Sequence, residues 1–286
     1  MTTGYEQYLK NLPIIPEVAT KILSMTEDKL DISFKKLEDI IKMDPGLTAK
    51  ILKIANSALY ARQREIKSLQ MAITLLGFKN IKSLVILVTA SGLFNRLSKE
   101  PFYAFFWRHS LLSAFYARHV ALRSGKKEIA EDCFIAGLLH DIGQVAFFNT
   151  DRERYRQVVN QLLAGSSGVE GLEEMLFGFN HRTFGAALLQ KWSFPEVYVD
   201  AAREHESLNV TSPHKSAILI VTAAALFAEL SRVGTLQADK QELLAQILPR
   251  VSLGAADMEY YRKQFMEDLQ DDTLFQECSL LFGVSR

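Results

Sequence analysis

The sequence predicts an all-α fold, and three observations carry that prediction. Apolar residues recur every three or four positions over residues 18–230, which is the periodicity of amphipathic helices. Strict alternation of apolar and polar residues, the signal of a half-buried strand, is essentially absent. Fifteen glycines and seven prolines in 286 residues leave few turn-forming residues, which favours helices over many short strands.

The amino-terminal part of the chain is predicted to form five helices. Pro16 suits the first helical position of the first of them, and Asp44-Pro45 separates the second from the third. The third ends near Asn56-Ser57, whose short polar side chains compete with helical hydrogen bonds, and Ser68 caps the fourth. The fifth helix, over residues 81–94, is apolar nearly all round and is therefore expected to be buried.

The remaining helices are longer and are separated by Pro and Gly. Their predicted ranges are 101–125, 129–141, 151–164, 171–177, 180–192, 195–205 and 213–230, with two or three amphipathic helices over residues 235–286. We expect two packed helical subdomains, residues 1–98 and 99–286, of which the second carries the additional carboxy-terminal helices.

Charge and composition exclude several classes of function. Thirty-three basic and thirty-three acidic residues give a net charge of zero, so no global field attracts nucleic acid or an anionic membrane. The start of the chain lacks the pattern of a signal peptide, and the longest apolar stretch, residues 217–228, is shorter than a membrane span. Two distant cysteines do not suggest a disulfide framework. The sequence predicts a cytoplasmic protein.

Only one histidine in the chain has a carboxylate beside it. His140 and Asp141 end an apolar helix just before Gly143, where an unwinding helix would let both side chains converge on one ion. Imidazole and carboxylate ligands suit a divalent metal such as Fe, Mn or Zn. Taken in isolation, these two residues favour a different interpretation over metal binding, in which Asp141 only fixes a buried imidazole.

Motifs spread along the chain resemble one family. Trp107-Arg108-His109 followed by residues 138–143, Leu-Leu-His-Asp-Ile-Gly, resembles the HD superfamily of metal-dependent phosphohydrolases. Further motifs narrow the resemblance to the HDOD family, over about residues 11–230. They are Leu12-Pro13, Met43-Asp44-Pro45, the segment Ala-Ile-Thr-Leu-Leu-Gly at 72–77, the segment around His181 and Glu204-His205-Glu206. The resemblance implies an HD-like second subdomain within an all-helical bacterial signalling module, in a family without an established common catalytic activity.

The resemblance also implies a set of metal ligands. His109, His140 and Asp141 match the HD core, but the aspartate expected on a later helix is absent from residues 216–228, where Thr222 lies. His181 matches a further ligand of the HD-GYP type of phosphodiesterase, and Glu204-His205 stands where that type has a His-His doublet. The Gly-Tyr-Pro triplet of that type does not occur here, and His205 is retained as a candidate ligand beside His181. The implied site is therefore degenerate.

Each of these histidines also has a purely structural interpretation. His109 fits a buried helix histidine bonded to a carbonyl, and His181 fits an exposed residue at a helix start. His205 fits a helix carboxy terminus, where the dipole favours a protonated imidazole. Glu204 is a further candidate ligand, and His119 and His214 are expected on the surface.

These observations predict a regulatory module that acts by binding a protein or a ligand. A signalling protein is expected to contact the amino-terminal helices, and a nucleotide is a candidate ligand. The basic segment 60–67 could meet a phosphate, although it equally fits a solvated face. The alternative is a metal-dependent phosphohydrolase acting on a nucleotide or cyclic dinucleotide, with His140 and Asp141 as metal ligands.

Overall fold

The computed structural model describes residues 4–25, 30–56, 66–93, 100–165 and 168–284, and every regular element among them is helical. The all-α prediction is confirmed. The chain forms two compact units. Unit 1 comprises Met1–Pro13 and Lys99–Met266, and unit 2 comprises Ile14–Ser98 and Glu267–Arg286.

Both chain termini pack differently from the division drawn on the sequence. Tyr8 places its ring against Phe177 and Phe179, so the first residues belong to unit 1. At the other end, the last helix packs in unit 2, where Glu277 forms an ion pair with Lys53 at 3.2 Å. The prediction placed one boundary between residues 98 and 99, so it assigned each end of the chain to the unit next to it in sequence. The observed assignment of both ends depends on contacts between segments that are distant in the sequence.

Unit 2 is built around one buried helix. Its helices are α2 (Glu17–Leu23), α3 (Leu30–Lys42), α4 (Pro45–Asn56), α5 (Leu69–Leu76), α6 (Phe78–Leu93) and α18 (Thr273–Phe282). Helix α6 contacts α2, α4, α5 and α18, and most of its side chains are buried. An apolar sequence on all faces is what such a central position requires.

Unit 1 contains the remaining helices. They are α1 (Glu6–Leu9), α7 (Pro101–Arg123), α8 (Ala130–Leu139), α9 (Ile142–Thr150), α10 (Arg152–Leu163), α11 (Val169–Phe177), α12 (His181–Lys191), α13 (Glu196–Glu204), α14 (Lys215–Val233), α15 (Ala238–Ile247) and α16 (Ala255–Lys263), and α17 (Phe265–Gln270) follows at the boundary of the units. Two 3₁₀ turns, Lys127–Ile129 and Leu248–Val251, join neighbouring helices. Helix α7 packs along both α8 and α14, and α12 packs against α9 and α13. These contacts bring together the middle of α7, the end of α8, the start of α12 and the end of α13, which are distant in the sequence.

Helix α14 is longer than the apolar stretch predicted from the sequence. It runs for 19 residues and is long and apolar enough to cross a membrane, and the bent pair α5–α6 passes the same test when taken together. The expectation that no segment reaches this length is therefore corrected. However, 67% of the apolar window of α14 is buried inside the protein, as in the core helix of a soluble fold.

Candidate metal centre

The five predicted ligands lie together in unit 1. His109 projects from the middle of α7, His140 and Asp141 form the junction of α8 and α9, His181 opens α12, and His205 follows the last residue of α13. The Nε2 atoms of His109 and His140 are 3.6 and 3.3 Å from Asp141 Oδ2, and those of His181 and His205 are 3.4 and 3.2 Å from Asp141 Oδ1. One carboxylate is thus surrounded by four imidazole nitrogens.

Three of the four rings are held by acceptors at their other nitrogen. His140 Nδ1 is 2.8 Å from the carbonyl oxygen of Gly137, and His205 Nδ1 is 3.1 Å from that of Ala202. His181 Nδ1 is 2.7 Å from a carboxylate oxygen of Glu173. With Nδ1 held in this way, each ring turns its Nε2 toward the cluster, and Nε2 is the atom that a metal would take once it is deprotonated. This is the arrangement in which histidines bind metals.

Asp141 contacts more than the one histidine beside it in the sequence. Its carboxylate lies 3.3 Å from His140 Nε2, as the interpretation of a carboxylate that fixes a buried imidazole requires. His140 is also held by the backbone carbonyl of Gly137 on its own helix, and Asp141 faces the Nε2 atoms of the three other histidines as well. The geometry therefore fits both interpretations, an orienting partner of His140 and a carboxylate shared by a ligand cluster.

Glu173 belongs to the site although the sequence analysis missed it. It is fully buried on α11, and its carboxylate accepts the backbone N–H of His181 at 2.8 Å, the ring of His181 at 2.7 Å and the hydroxyl of Tyr155 at 2.6 Å. The sequence holds a usable signal, because Glu173 lies four residues before buried Phe177 on the same helical stripe. A carboxylate on a buried stripe requires a partner.

Gly143 sets the distance between α9 and α12. A Cβ atom at this position would lie 1.9 Å from the backbone oxygen of His181 and 2.9 Å from the backbone nitrogen of Gly185. The expectation that the helix unwinds at Gly143 is wrong. Helix α8 ends earlier, at Leu139, and Gly143 lies inside α9. The glycine instead permits the close approach that brings His181 to Asp141.

Burial and mutual charge shift the proton affinities in opposite directions within the cluster. Burial, together with the charge of His140, lowers the pKa of His109 to about 3. Burial alone would also lower the pKa of His181, but the Glu173 carboxylate outweighs it and raises that pKa to about 10. Burial opposes ionisation of Asp141, yet the surrounding histidines hold its pKa well below the ordinary value. The centre therefore keeps an ionised carboxylate.

A cavity of about 250 Å³ lies over the cluster. Beyond the five ligands its walls carry Phe105, Gln144, Glu170, Glu206, Thr222, Glu229, Arg232, Asp239 and Lys240 among other residues. Arg232 and Lys240 were not singled out from the sequence, and Glu206 was noted there only as part of the motif Glu204-His205-Glu206. Helix α15, which bears Lys240, lies beyond the matched motifs, so only the tertiary packing of unit 1 brings it to the cavity.

Other residues singled out from the sequence have structural roles. Glu204 accepts the backbone N–H of Thr211 at 2.7 Å and is not among the residues that line the cavity, which corrects its candidacy as a ligand. His119 and His214 are half-buried rather than superficial: His119 Nδ1 is 2.9 Å from the hydroxyl of Tyr261, and His214 Nδ1 is 3.0 Å from Asp200.

The polar positions of the amino-terminal helices have a structural use where they are described. The Asn56 side chain bonds the backbone oxygen and nitrogen of Ile66 at 2.8 and 2.7 Å, and Asp44 accepts the backbone N–H of Leu47 at 3.0 Å. These bonds fit the capping interpretation. Ser57 and most of the basic segment 60–67 lie outside the described residues.

The wall formed by α14 lacks the carboxylate that the HD resemblance leads one to expect. Thr222 stands there, and its hydroxyl donates to the backbone oxygen of Ile218 at 2.9 Å and contacts that of His205. The first acidic residue of α14 is Glu229, which forms an ion pair with Lys240 at 2.6 Å. The donor set near Asp141 is therefore rich in nitrogen and poor in oxygen.

This donor set could hold a divalent metal ion. The ligand atoms form two groups, His109 with His140 and Asp141, and Asp141 with His181 and His205, and within each group they lie within 4.8 Å of one another. Imidazole nitrogen with one carboxylate suits Fe, Mn and Zn better than Ca or Mg, which prefer oxygen. The residues present thus fit an ion of the first kind.

The structure resembles several solved proteins. An HDOD domain protein with unknown function from Geobacter sulfurreducens has a TM-score of 0.75 at 24% identity, with 97% of each chain covered. A protein named "Putative phosphohydrolase" from Shewanella amazonensis SB2B has a TM-score of 0.75 at 22% identity, with 98% of each chain covered. At these identities the likeness is one of fold.

Sequence comparison identifies the family. An uncharacterized protein of Treponema pallidum (strain Nichols) is 24% identical over 212 residues, which are 73% of this chain but 41% of that protein. The chain therefore spans about two fifths of the length of this curated relative. The model of the HDOD domain matches residues 12–208, which is more than half of the chain. The chain belongs to the HDOD domain family.

Proposed function

We propose that this protein is a metal-binding regulatory module of bacterial, cytoplasmic signal transduction, and that it acts by binding rather than by turnover. The observation that carries the proposal is the convergence of four imidazole Nε2 atoms on Asp141, three of them on rings held at Nδ1 by a carbonyl or carboxylate. A site whose ligands are already oriented binds its metal without a large ordering cost.

Two features of the cavity support binding over hydrolysis. Hydrolysis of a phosphodiester needs metal-activated water and positive charge arranged around the phosphate oxygens. Here α14 contributes Thr222, Ala225 and Leu226 to the wall, where the HD resemblance would place an aspartate. The cavity volume of about 250 Å³ also lies below the roughly 300–1,000 Å³ of sites that enclose drug-sized ligands, which favours a compact ligand over a fully enclosed cyclic dinucleotide.

Metal analysis tests the first half of the proposal. The protein would be produced with Fe, Mn or Zn supplied singly, and bound metal would be measured by inductively coupled plasma mass spectrometry. We expect metal in the wild type and a large loss in His140→Ala and His205→Ala. His214→Ala, which alters a histidine outside the cluster, is the matched control and should retain the metal. Metal-free wild-type protein in all three media would overturn the proposal.

An activity assay tests the second half against the hydrolase alternative. The alternative has one observation in its favour, the presence of Arg232 and Lys240 beside the predicted metal. Typical enzymes turn over at about 1–1,000 per second, which is readily detected. We expect no such cleavage of cyclic dinucleotides or guanosine tetraphosphate by metal-loaded protein. Cleavage at that rate, lost in both His140→Ala and Asp141→Ala, would establish the hydrolase instead.

The proposal includes a signalling protein that contacts unit 2. The described part of this unit shows no cluster of metal-binding residues, and its exposed apolar side chains include Met43 and Leu75. A photoreactive amino acid at position 43 or 75 should crosslink a defined partner in cells. The same residue at Met175, an even more exposed apolar position in unit 1, is the control. Equal crosslinking from position 175 would contradict this assignment.

A further inference from the structure

Arg232 is a cation at the cavity wall without an acidic partner. Its guanidinium carbon lies 5.0 Å from the centre of the Phe105 ring, and Gly165 lies next to its terminal nitrogens. Within the described ranges no carboxylate forms an ion pair or hydrogen bond with it. Because a stacked guanidinium is held in plane, its free edge is available to an oxyanion.

Several other charged groups of the cavity wall interact with their neighbours, and Asp239 is a further acidic residue of that wall. Glu229 pairs with Lys240 at 2.6 Å, and Glu170 pairs with Arg182 at 2.6 Å. Glu170 also interacts with Glu206 across the wall. Arg232 is therefore the basic side chain of the wall whose charge is not used within the fold, and it faces the same cavity as the histidine cluster.

We propose that Arg232 and the metal centre together bind a small oxyanion, a metabolite that carries a carboxylate or phosphate group. The inference rests on the proposed metal binding, because the ion supplies the second positive charge. Arginine recognises both carboxylate and phosphate through two parallel hydrogen bonds. The cavity volume of about 250 Å³ restricts the ligand to a compact one. The metal would then serve as one anchor of a sensed ligand.

Calorimetric titration tests the proposal on the 286-residue protein loaded with Mn²⁺. Inorganic phosphate and succinate are titrated separately, so the two arms distinguish phosphate from carboxylate. At least one of them should bind to the wild type. Arg232→Gln should weaken that binding by about tenfold or more, as expected for loss of a charged hydrogen-bond donor, and metal content should stay unchanged. Metal-free wild type should bind the same anion more weakly than the loaded protein.

Arg262→Gln is the matched control, since Arg262 is an exposed arginine on α16 that does not line this cavity. Its anion affinity should equal that of the wild type, and circular dichroism should show both variants folded. Failure of either anion to bind loaded wild type, or equal affinity in Arg232→Gln, would overturn the proposal and leave metal binding intact. A wild type that takes up no metal would instead refute the proposed function itself.

Discussion

The carboxylate of Glu173 holds His181 at two points, because one oxygen accepts the backbone N–H at 2.8 Å and the ring Nδ1–H at 2.7 Å. The other oxygen accepts the hydroxyl of Tyr155 at 2.6 Å. Both residues that meet Glu173 are themselves buried, so the arrangement excludes water. His181 is thus positioned by α11 before any ion arrives.

Glu173→Gln should weaken metal binding by about 10–100-fold, the usual cost of losing a partner that orients a metal ligand. The amide would also place an N–H₂ group against donors and destabilise the fold by about 1–3 kcal/mol. Metal titration and urea denaturation measure the two effects. Glu196→Gln, at an exposed position at the start of α13, should change neither. Full metal affinity in Glu173→Gln would show that His181 needs no such support.

Gly143→Ala should destabilise the protein by about 3 kcal/mol or more, because the added methyl group would meet the backbone of His181 at 1.9 Å and neither helix can yield without repacking. Separation of α9 and α12 should lower metal content as well. Gly171→Ala is the control, since nothing lies within 4 Å of its Cβ position, and helix propensity predicts a small gain in stability. Thermal denaturation of both variants measures these changes in stability, and an unchanged stability of Gly143→Ala would contradict the prediction.

Thr222→Val should loosen the anchor of His205 with little change of shape. The Thr222 hydroxyl links α14 to the backbone oxygen of His205, and its loss should cost about 1 kcal/mol. Metal affinity should fall a few-fold, as measured by competition with a chelating dye. Thr89→Val, in buried α6 of unit 2, should leave metal affinity unchanged. An unaltered metal affinity in Thr222→Val would show that the contact from α14 to His205 does not support the metal site.

Asp257 should make a pH-dependent contribution to stability. Its carboxylate accepts the backbone N–H of Gly254 at 2.8 Å and bonds Arg123, and both interactions hold its pKa below the ordinary 3.8. A lowered folded pKa stabilises the protein above pH 3.8, and that stability is lost as the pH falls through the folded value. Asp257→Asn should therefore cost about 0.5–1 kcal/mol at pH 7, with little change down to about pH 4 and a smaller difference only well below pH 3.8 in urea denaturation.

Local sequence pattern predicted most helices of unit 1 but missed α9. Residues 142–148 are all buried, so this helix has no polar face from which a period could be detected. The neighbouring α10 carries polar residues on one face and was predicted within one residue at each end. The pattern therefore identifies helices at the surface better than those at the centre of the fold.

The residues of the candidate site also differ in how far the sequence could identify them. His140 and Asp141 stand out in the sequence because they are adjacent, whereas His181 and His205 were found only through the family resemblance. Arg232 offered no signal, because an exposed arginine on a helix is ordinary until its neighbours are known. What brings it to the histidines is the packing of α7 against α14, which is a property of tertiary structure.

The ligands of the candidate centre come from four helices that are far apart along the chain. An ion bound by His109, Asp141, His181 and His205 would close three successive loops of the polypeptide, much as a crosslink does. Since the unfolded chain cannot keep these loops closed, occupancy adds directly to the free energy of unfolding. The supply of metal in the cell would then set how long unit 1 resists proteolysis, so a metal acquired for sensing would also govern the lifetime of the sensor.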